Sequence, residues 1–250
     1  MKIFITGGTT GIGWSLAEYY LKKGFVVGIC GRNLNKLPQD YVKYGERLKC
    51  YKADVRDREK LSGVIHEFAK GHLDILVANA GISQGEKTSD PNFVASRNIL
   101  QTNIDGFLNT FEIGFNLMKP KGKGQLVAIA SVAGMLGLPG AGAYCGSKAA
   151  VLKMCESFNI DFLKFGINVT TIAPGFIDTP LTKKNKHPMP FLMSSEKASI
   201  KIAQAIEKKK AIFIFPFQMK CLVFILERMP RIIYRFIMSL KKFAYPNHYE

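Results

Sequence analysis

Acidic residues are scarce in this chain: 19 Asp and Glu stand against 35 Lys and Arg, a formal net charge of +16. Such a balance excludes an acidic solvating protein and admits negatively charged partners, nucleic acid or an anionic membrane among them. Cysteine is little used as well. The five present (Cys30, Cys50, Cys145, Cys155, Cys221) are an odd number with no CxxC spacing. That excludes a disulfide-stapled scaffold and implies reduced thiols in a cytoplasmic protein. The four histidines (His66, His72, His187, His248) fall at no metal-ligand spacing, so no metal site is expected. Long apolar runs are missing too. Only Ile3-Phe4-Ile5 separates Lys2 from Thr6-Gly7-Gly8, too short for a secretory leader. The apolar runs of the C-terminal tail are too short to span a bilayer.

What is present is globular in character. Of 250 residues 47% are hydrophobic and 22% charged, which excludes a disordered or collagenous chain. One core can serve this length. The charge is uneven: residues 1–181 hold 21 basic and 15 acidic side chains, a net of +6, whereas residues 182–250 hold 14 and 4, a net of +10. The last part therefore differs in kind from the rest.

Apolar runs of four or five residues recur at Lys2–Thr6, Phe25–Cys30, Cys50–Ala53, Ile75–Ala78, Leu126–Ala130 and Asn168–Ile172. Helical patterns separate them, from Ile12 to Lys23 and around 57–70, 96–118 and 143–165. This alternation predicts an α/β fold: a doubly wound parallel sheet with crossover helices on both faces.

Thr6-Gly7-Gly8-Thr9-Thr10-Gly11-Ile12-Gly13 joins the first strand to the first helix. Glycines 7, 11 and 13 allow a tight turn, close approach of a pyrophosphate, and close packing of helix on strand. The free amides at the helix N-terminus would face the phosphates. The spacing is GxxxGxG rather than GxGxxG, and here the chain resembles the short-chain dehydrogenase/reductase family, whose cofactor loop has the form TGxxxGIG. The resemblance covers about residues 2–210. It implies a Rossmann-type sheet of about seven strands and a nicotinamide cofactor.

At the end of the second strand, where an acid would hold the ribose of NAD, the chain has Gly31-Arg32-Asn33. A guanidinium suits a 2′-phosphate, so Arg32 points to NADP(H); the other reading is a solvent-facing turn arginine. By resemblance Asp54, followed by Val55, contacts the adenine, and Asn79-Ala80-Gly81 shapes the cofactor floor, the asparagine largely by stabilising the sheet. Ala78 replaces the commoner asparagine of that element. Pro174-Gly175-Phe176-Ile177-Asp178-Thr179-Pro180 resembles the segment beside the nicotinamide, with Ile177 and Thr179 as its contacts. Thr9, Thr10 and Ile12 complete the expected cofactor set.

Tyr144-Cys145-Gly146-Ser147-Lys148 is a YxxxK pattern, and residues four apart share a helix face. Ser131 precedes Tyr144 by thirteen positions, the family's spacing for its serine, and Asn103 matches the fourth member of the family's tetrad. Hydride reduction of a ketone leaves an alkoxide that must be protonated. A free phenol, with a pKa of about 10, exchanges that proton poorly at neutral pH. A neighbouring ammonium favours phenolate, making Tyr144 the general acid in reduction and the base in oxidation. Ser131 would stabilise the developing charge. The resemblance adds that Lys148 binds the ribose and that Asn103 holds a water linking Lys148 to solvent.

Beyond Pro180 the chain turns basic and apolar. Leu181–Ser194 has the place of the family's substrate lid, with Lys183, Lys184, Lys186 and His187 before Phe191-Leu192-Met193. It reads as a basic lid for an amphipathic or anionic substrate, or as a solvated loop. Ser195 and Glu196 open a helix to Lys210. In a helix over 231–242, Arg231, Arg235 and Lys242 form one flank and Ile232, Ile233, Phe236, Ile237 and Leu240 the other. This is the pattern of a helix at a membrane surface, or of one docking on the core or a sister subunit. The expected organisation is thus a catalytic domain over 1–210, with its lid at 181–194, and an amphipathic extension over 211–250.

The leading expectation is an NADP(H)-dependent carbonyl reductase or the reverse alcohol dehydrogenase, acting on a small molecule. The expectation is a cytoplasmic homo-oligomer, dimer or tetramer, whose residues 211–250 either contact the inner membrane surface or pack on the core or a sister subunit. A narrower reading is a peripheral-membrane reductase of long-chain keto-lipids, resembling the ketosphinganine reductase branch. A non-catalytic dinucleotide-binding scaffold is the third. Nucleic acid is not expected as a partner, because no recognition motif accompanies the charge.

Overall fold

Six of the apolar runs fold into strands at the places expected: β1 (Lys2–Thr6), β2 (Val26–Gly31), β3 (Leu48–Lys52), β4 (Ile75–Ala78), β5 (Gly124–Ile129) and β6 (Ile167–Pro174). The structure is a computed structural model and describes residues 1–84, 91–184 and 188–240. Two short strands, β7 (Ile177–Asp178) and β8 (Met193–Ser194), pair beside the main sheet. The seventh strand of that sheet is β9 (Ile212–Phe215), parallel to β6 with Thr171 opposite Ile212. Strand order is β3-β2-β1-β4-β5-β6-β9, all parallel. The run Ile212–Phe215, expected in the C-terminal extension, thus belongs to the sheet. Its outer residue Ile212 is half exposed, as an edge position requires.

Helices cover both faces, which is why the strands read as continuous apolar runs. Successive strand residues point opposite ways. Ile3, Ile5, Val77 and Val127 pack with Leu16 and Tyr20 of α1 (Gly11–Lys22) and Ile202 and Ile206 of α6 (Ser195–Glu207). Phe4, Leu76, Leu126 and Ala128 pack with Leu61 and Ile65 of α2 (Arg58–Ala69), Phe107 and Phe111 of α4 (Gly106–Met118) and Val151 of α5 (Gly142–Asp161). Each large apolar side chain so buried contributes roughly 1.5–3 kcal/mol.

The helical pattern around 96–118 is interrupted. α3 (Phe93–Leu100), capped by the Asn92 side chain accepting from the Ala95 amide at 2.9 Å, runs into a π turn over Gln101–Asp105 before α4 begins. The Gly106 amide donates to the Gln101 carbonyl, one residue further back than in an α-helix. Such turns are frequent at functional sites, and this one carries Asn103.

After β9 come α7 (Phe217–Arg228) and α8 (Arg231–Ser239), separated at Pro230, which has no amide to continue a helix. Met219 and Val223 of α7, with Tyr234 and Met238 of α8, pack against Val132 and Leu136. One side of α8 thus docks on the chain's own core. Lys186 and His187 of the expected lid, and Lys242 of the expected helix, lie outside the described residues. Among the described residues no helix is long and apolar enough to cross a membrane.

Candidate active site

The strand order turns outward in both directions between β1 and β4, and in open parallel sheets a crevice forms there at the strands' C-terminal ends. The glycine loop sits in it. Gly7 has a φ of +63°, a left-handed conformation, and a side chain there would meet the Ala80 Cα at 2.7 Å. A side chain at Gly13 would strike the Gly7 carbonyl. Asn79 draws the loop in: its Nδ2 donates to the Thr6 and Gly7 carbonyls, both at 3.0 Å, and its amide donates to Thr6 Oγ1 at 3.1 Å. Asn79 thus supports the loop from the end of β4.

Thr10 makes no side-chain cap to α1, and the first turn of that helix contains no acid. Its leading amides carry no side-chain cap, and the helix's own first turn supplies no carboxylate to its positive end. An anion fits there.

The loop floors a cleft of about 400 Å³. Every residue expected at the cofactor site borders it, from Gly7 and Thr9 through Arg32 and Asp54 to Thr179. Arg32 is exposed at the rim beside Asn33. Asp54 accepts from Arg56 at 2.7 Å (Nη2) and 3.1 Å (Nε). Those hydrogen bonds hold its carboxyl below the usual range, with the Arg32 charge adding to the effect.

Ser131, Tyr144 and Lys148 border the same cleft. Ser131 ends the β5 segment, and its Oγ accepts the Ala133 amide at 3.1 Å, which fixes the hydroxyl at the turn. Tyr144 and Lys148 lie one turn apart on α5, with Lys148 Nζ 5.9 Å from the centre of the phenol ring. Lys148 is buried and its Nζ donates to the Ile129 carbonyl at 2.8 Å. Burial pulls its pKa down to about 8, and no carboxylate among the described residues offsets that cost. The ammonium still prevails at neutral pH.

Asn103 alone of the expected residues does not border the cleft; it is buried beneath it. Its Oδ1 accepts the Ile82 amide at 2.8 Å, and its Nδ2 donates to the Ile82 carbonyl and to Ser147 Oγ, each at 3.0 Å. Ser147 Oγ in turn donates to the Tyr144 carbonyl at 2.7 Å. The Asn103 side chain thereby ties the segment after β4 to the helix that carries Tyr144 and Lys148.

Lys36 and Thr182 are among the cleft residues that no motif marks. Lys36 borders it on the turn after β2, four positions beyond Arg32, and this spacing of two cations was the available signal. Thr182 shapes the far wall: its hydroxyl donates to the Ile177 carbonyl at 2.5 Å and accepts the Thr179 amide at 3.0 Å. Nothing local in the sequence marks that role.

Residues 1–190 match the model of the short chain dehydrogenase family. The chain belongs to that family and is an oxidoreductase of its fold. An uncharacterized oxidoreductase of Myxococcus xanthus is 32% identical over 220 residues, covering 86% of this chain and 87% of the relative. A 3-oxoacyl-acyl-carrier-protein reductase of Thermotoga maritima is 30% identical over 188 residues, covering 72% and 75%. The solved structure of ElxO with NADP bound has a TM-score of 0.76 at 27% identity, covering 85% of this chain and 96% of that one. A short chain dehydrogenase of Burkholderia cenocepacia, in complex with NADP, has a TM-score of 0.83 at 20% identity over 95% and 97%, a likeness of fold.

Proposed function

We propose that the chain is an NADP(H)-dependent carbonyl reductase, or the reverse alcohol dehydrogenase. The observation that carries this reading is the convergence of Ser131, Tyr144 and Lys148 on the cleft floored by the glycine loop. The residues fit the cofactor: Gly7, Gly11 and Gly13 border the cleft without side chains, and the start of α1 carries no acid and no side-chain cap. Arg32 and Lys36 supply two cations at the rim for a 2′-phosphate. That NADP is bound by ElxO supports the choice.

The nicotinamide, when bound, supplies or accepts the hydride. Tyr144 gives its phenolic proton to the substrate oxygen in reduction and takes it back in oxidation. Ser131 donates a hydrogen bond to that oxygen as charge develops. Lys148 holds positive charge close to Tyr144, favours its phenolate, and offers its remaining donors to the ribose hydroxyls. Asn103 keeps α5 in register with the cleft through Ile82 and Ser147. A screen of NADPH oxidation across acyl ketones, ketosteroids, sugars and long-chain keto-lipids tests the reading. Turnover of at least one class that disappears in Tyr144→Phe supports it; NADPH binding with no turnover of any class favours the non-catalytic scaffold.

A narrower reading, a reductase of long-chain keto-lipids, draws on one feature. The residues following Ser131 are apolar, and Val132 and Leu136 continue into a cluster with Met219 and Val223. The acyl substrate in the name of the Thermotoga maritima relative agrees with it. We further place the enzyme in the cytoplasm as a homo-oligomer. Exposed Phe93 and Val94 on α3, Ile160 at the end of α5 and Leu163 just after it support subunit contact. The catalytic unit extends through β9, with α7 and α8 as its appendage.

A further inference from the structure

A helix packed on a domain ordinarily turns a polar side to water. α7 and α8 do not. On α7 the buried residues are Met219 and Val223, yet the opposite side carries Phe217, Cys221, Phe224 and Ile225, spaced i, i+4, i+7 and i+8. Phe217 is 72% exposed and Ile225 60%. On α8 Tyr234 and Met238 face the core, while Ile232, 84% exposed, and Phe236, 68% exposed, point away with Ile233. Of the apolar flank read from the sequence, Ile232, Ile233 and Phe236 point outward, whereas Ile237 packs on the core cluster with Tyr234 and Met238. Tyr234 Oη anchors that contact by donating to the Gly137 carbonyl at 2.7 Å.

The charges around this face have one sign. From Phe217 to Leu240 the chain has Lys220, Arg228, Arg231 and Arg235 against Glu227 alone. Arg231 and Arg235 lie one turn apart, on the flank of α8 between its buried and outward sides. A second copy seated on the same face would set two patches of net positive charge against each other, and like charges brought together at an interface are costly. A surface that offers apolar depth beneath a layer of negative charge satisfies both halves of the pattern.

We propose that the outward face of α7 and α8 binds an anionic lipid bilayer, with Ile232, Phe236, Phe224 and Ile225 entering the headgroup–acyl boundary and the arginines meeting lipid phosphates. This does not depend on the reductase reading. The anchor at Gly137, six residues beyond Ser131, ties α8 to the segment that follows Ser131.

The full chain should float with vesicles of phosphatidylglycerol and phosphatidylcholine, far less with phosphatidylcholine alone, and raised salt should release it. Ile232→Ser with Phe236→Ser should weaken binding to the anionic vesicles by about tenfold or more. Arg231→Gln with Arg235→Gln should do the same, by about tenfold to thirtyfold. Both pairs should keep NADPH affinity and thermal melting within error. The arginine pair decides the matter on its own if the apolar pair unfolds. Absence of flotation overturns the proposal. So does unchanged flotation in the variants, or sedimentation showing that the apolar pair splits an oligomer without altering flotation.

Discussion

Lys148 Nζ lies 5.9 Å from the centre of the Tyr144 ring while donating to the carbonyl of Ile129 at 2.8 Å. The backbone of β5 thus holds the ammonium near the phenol. Ser131, two residues beyond Ile129, ends the same strand segment, so one strand sets the positions of both the cation and the hydroxyl.

If Tyr144 moves the proton, Tyr144→Phe should lower the rate of carbonyl reduction by about 10²–10⁴. Affinity for NADPH should change only a few-fold, because the ring and its packing persist. Fluorescence titration alongside steady-state kinetics separates the two. An equal loss in binding and turnover would make Tyr144 a cofactor ligand instead.

The burial of Lys148 has a consequence for stability. Its folded pKa of about 8 lies below the ordinary lysine value of 10.5. Between those values the unfolded chain binds more protons, so stability rises with pH through that window. Below about pH 8 the whole penalty is present, about 3 kcal/mol for a shift of this size. Lys148→Met should therefore stabilise the cofactor-free protein at about pH 7 and lose that advantage towards about pH 10. Paired denaturant titrations at the two pH values measure it; a difference independent of pH would contradict the assignment.

Asn103 is buried with three partners, Ile82 amide, Ile82 carbonyl and Ser147 hydroxyl. Asn103→Leu leaves them unpaired and should destabilise the fold by about 2–4 kcal/mol. Urea unfolding checks this, and a change under about 0.5 kcal/mol would show that the network contributes little.

The rim cations give a cofactor test. Arg32→Ala should weaken NADPH binding by about tenfold to a hundredfold, with NADH nearly unaffected. Lys36→Ala should act in the same direction with a smaller effect, since an ammonium cannot bind a phosphate bidentately. Equal affinities of the unaltered protein for the two cofactors would remove the phosphate role of both.

Much of this arrangement was legible beforehand because it is local. The glycine loop, the YxxxK spacing and the strand runs each lie within a few residues, and backbone geometry dictates what such spacings do. What escaped was long-range. Ile212–Phe215 reads as a short apolar run in a basic tail, and only its pairing with Thr171–Pro174 makes it a strand. The role of Asn103 depends on Ile82 and Ser147, 21 and 44 residues distant. Periodicity marked α8 as two-sided, yet Tyr234 and Met238 take the core side, where the phenol meets the Gly137 carbonyl. No count along the chain could have supplied that partner.

Transfer of deuterium from NADPH labelled at its hydride-donating carbon tests the central claim most directly. With a ketone identified by the screen, the account predicts label in the carbinol position of the product with the unaltered protein, and none above background with Tyr144→Phe. Label-free product, or equal labelling by Tyr144→Phe, would contradict it.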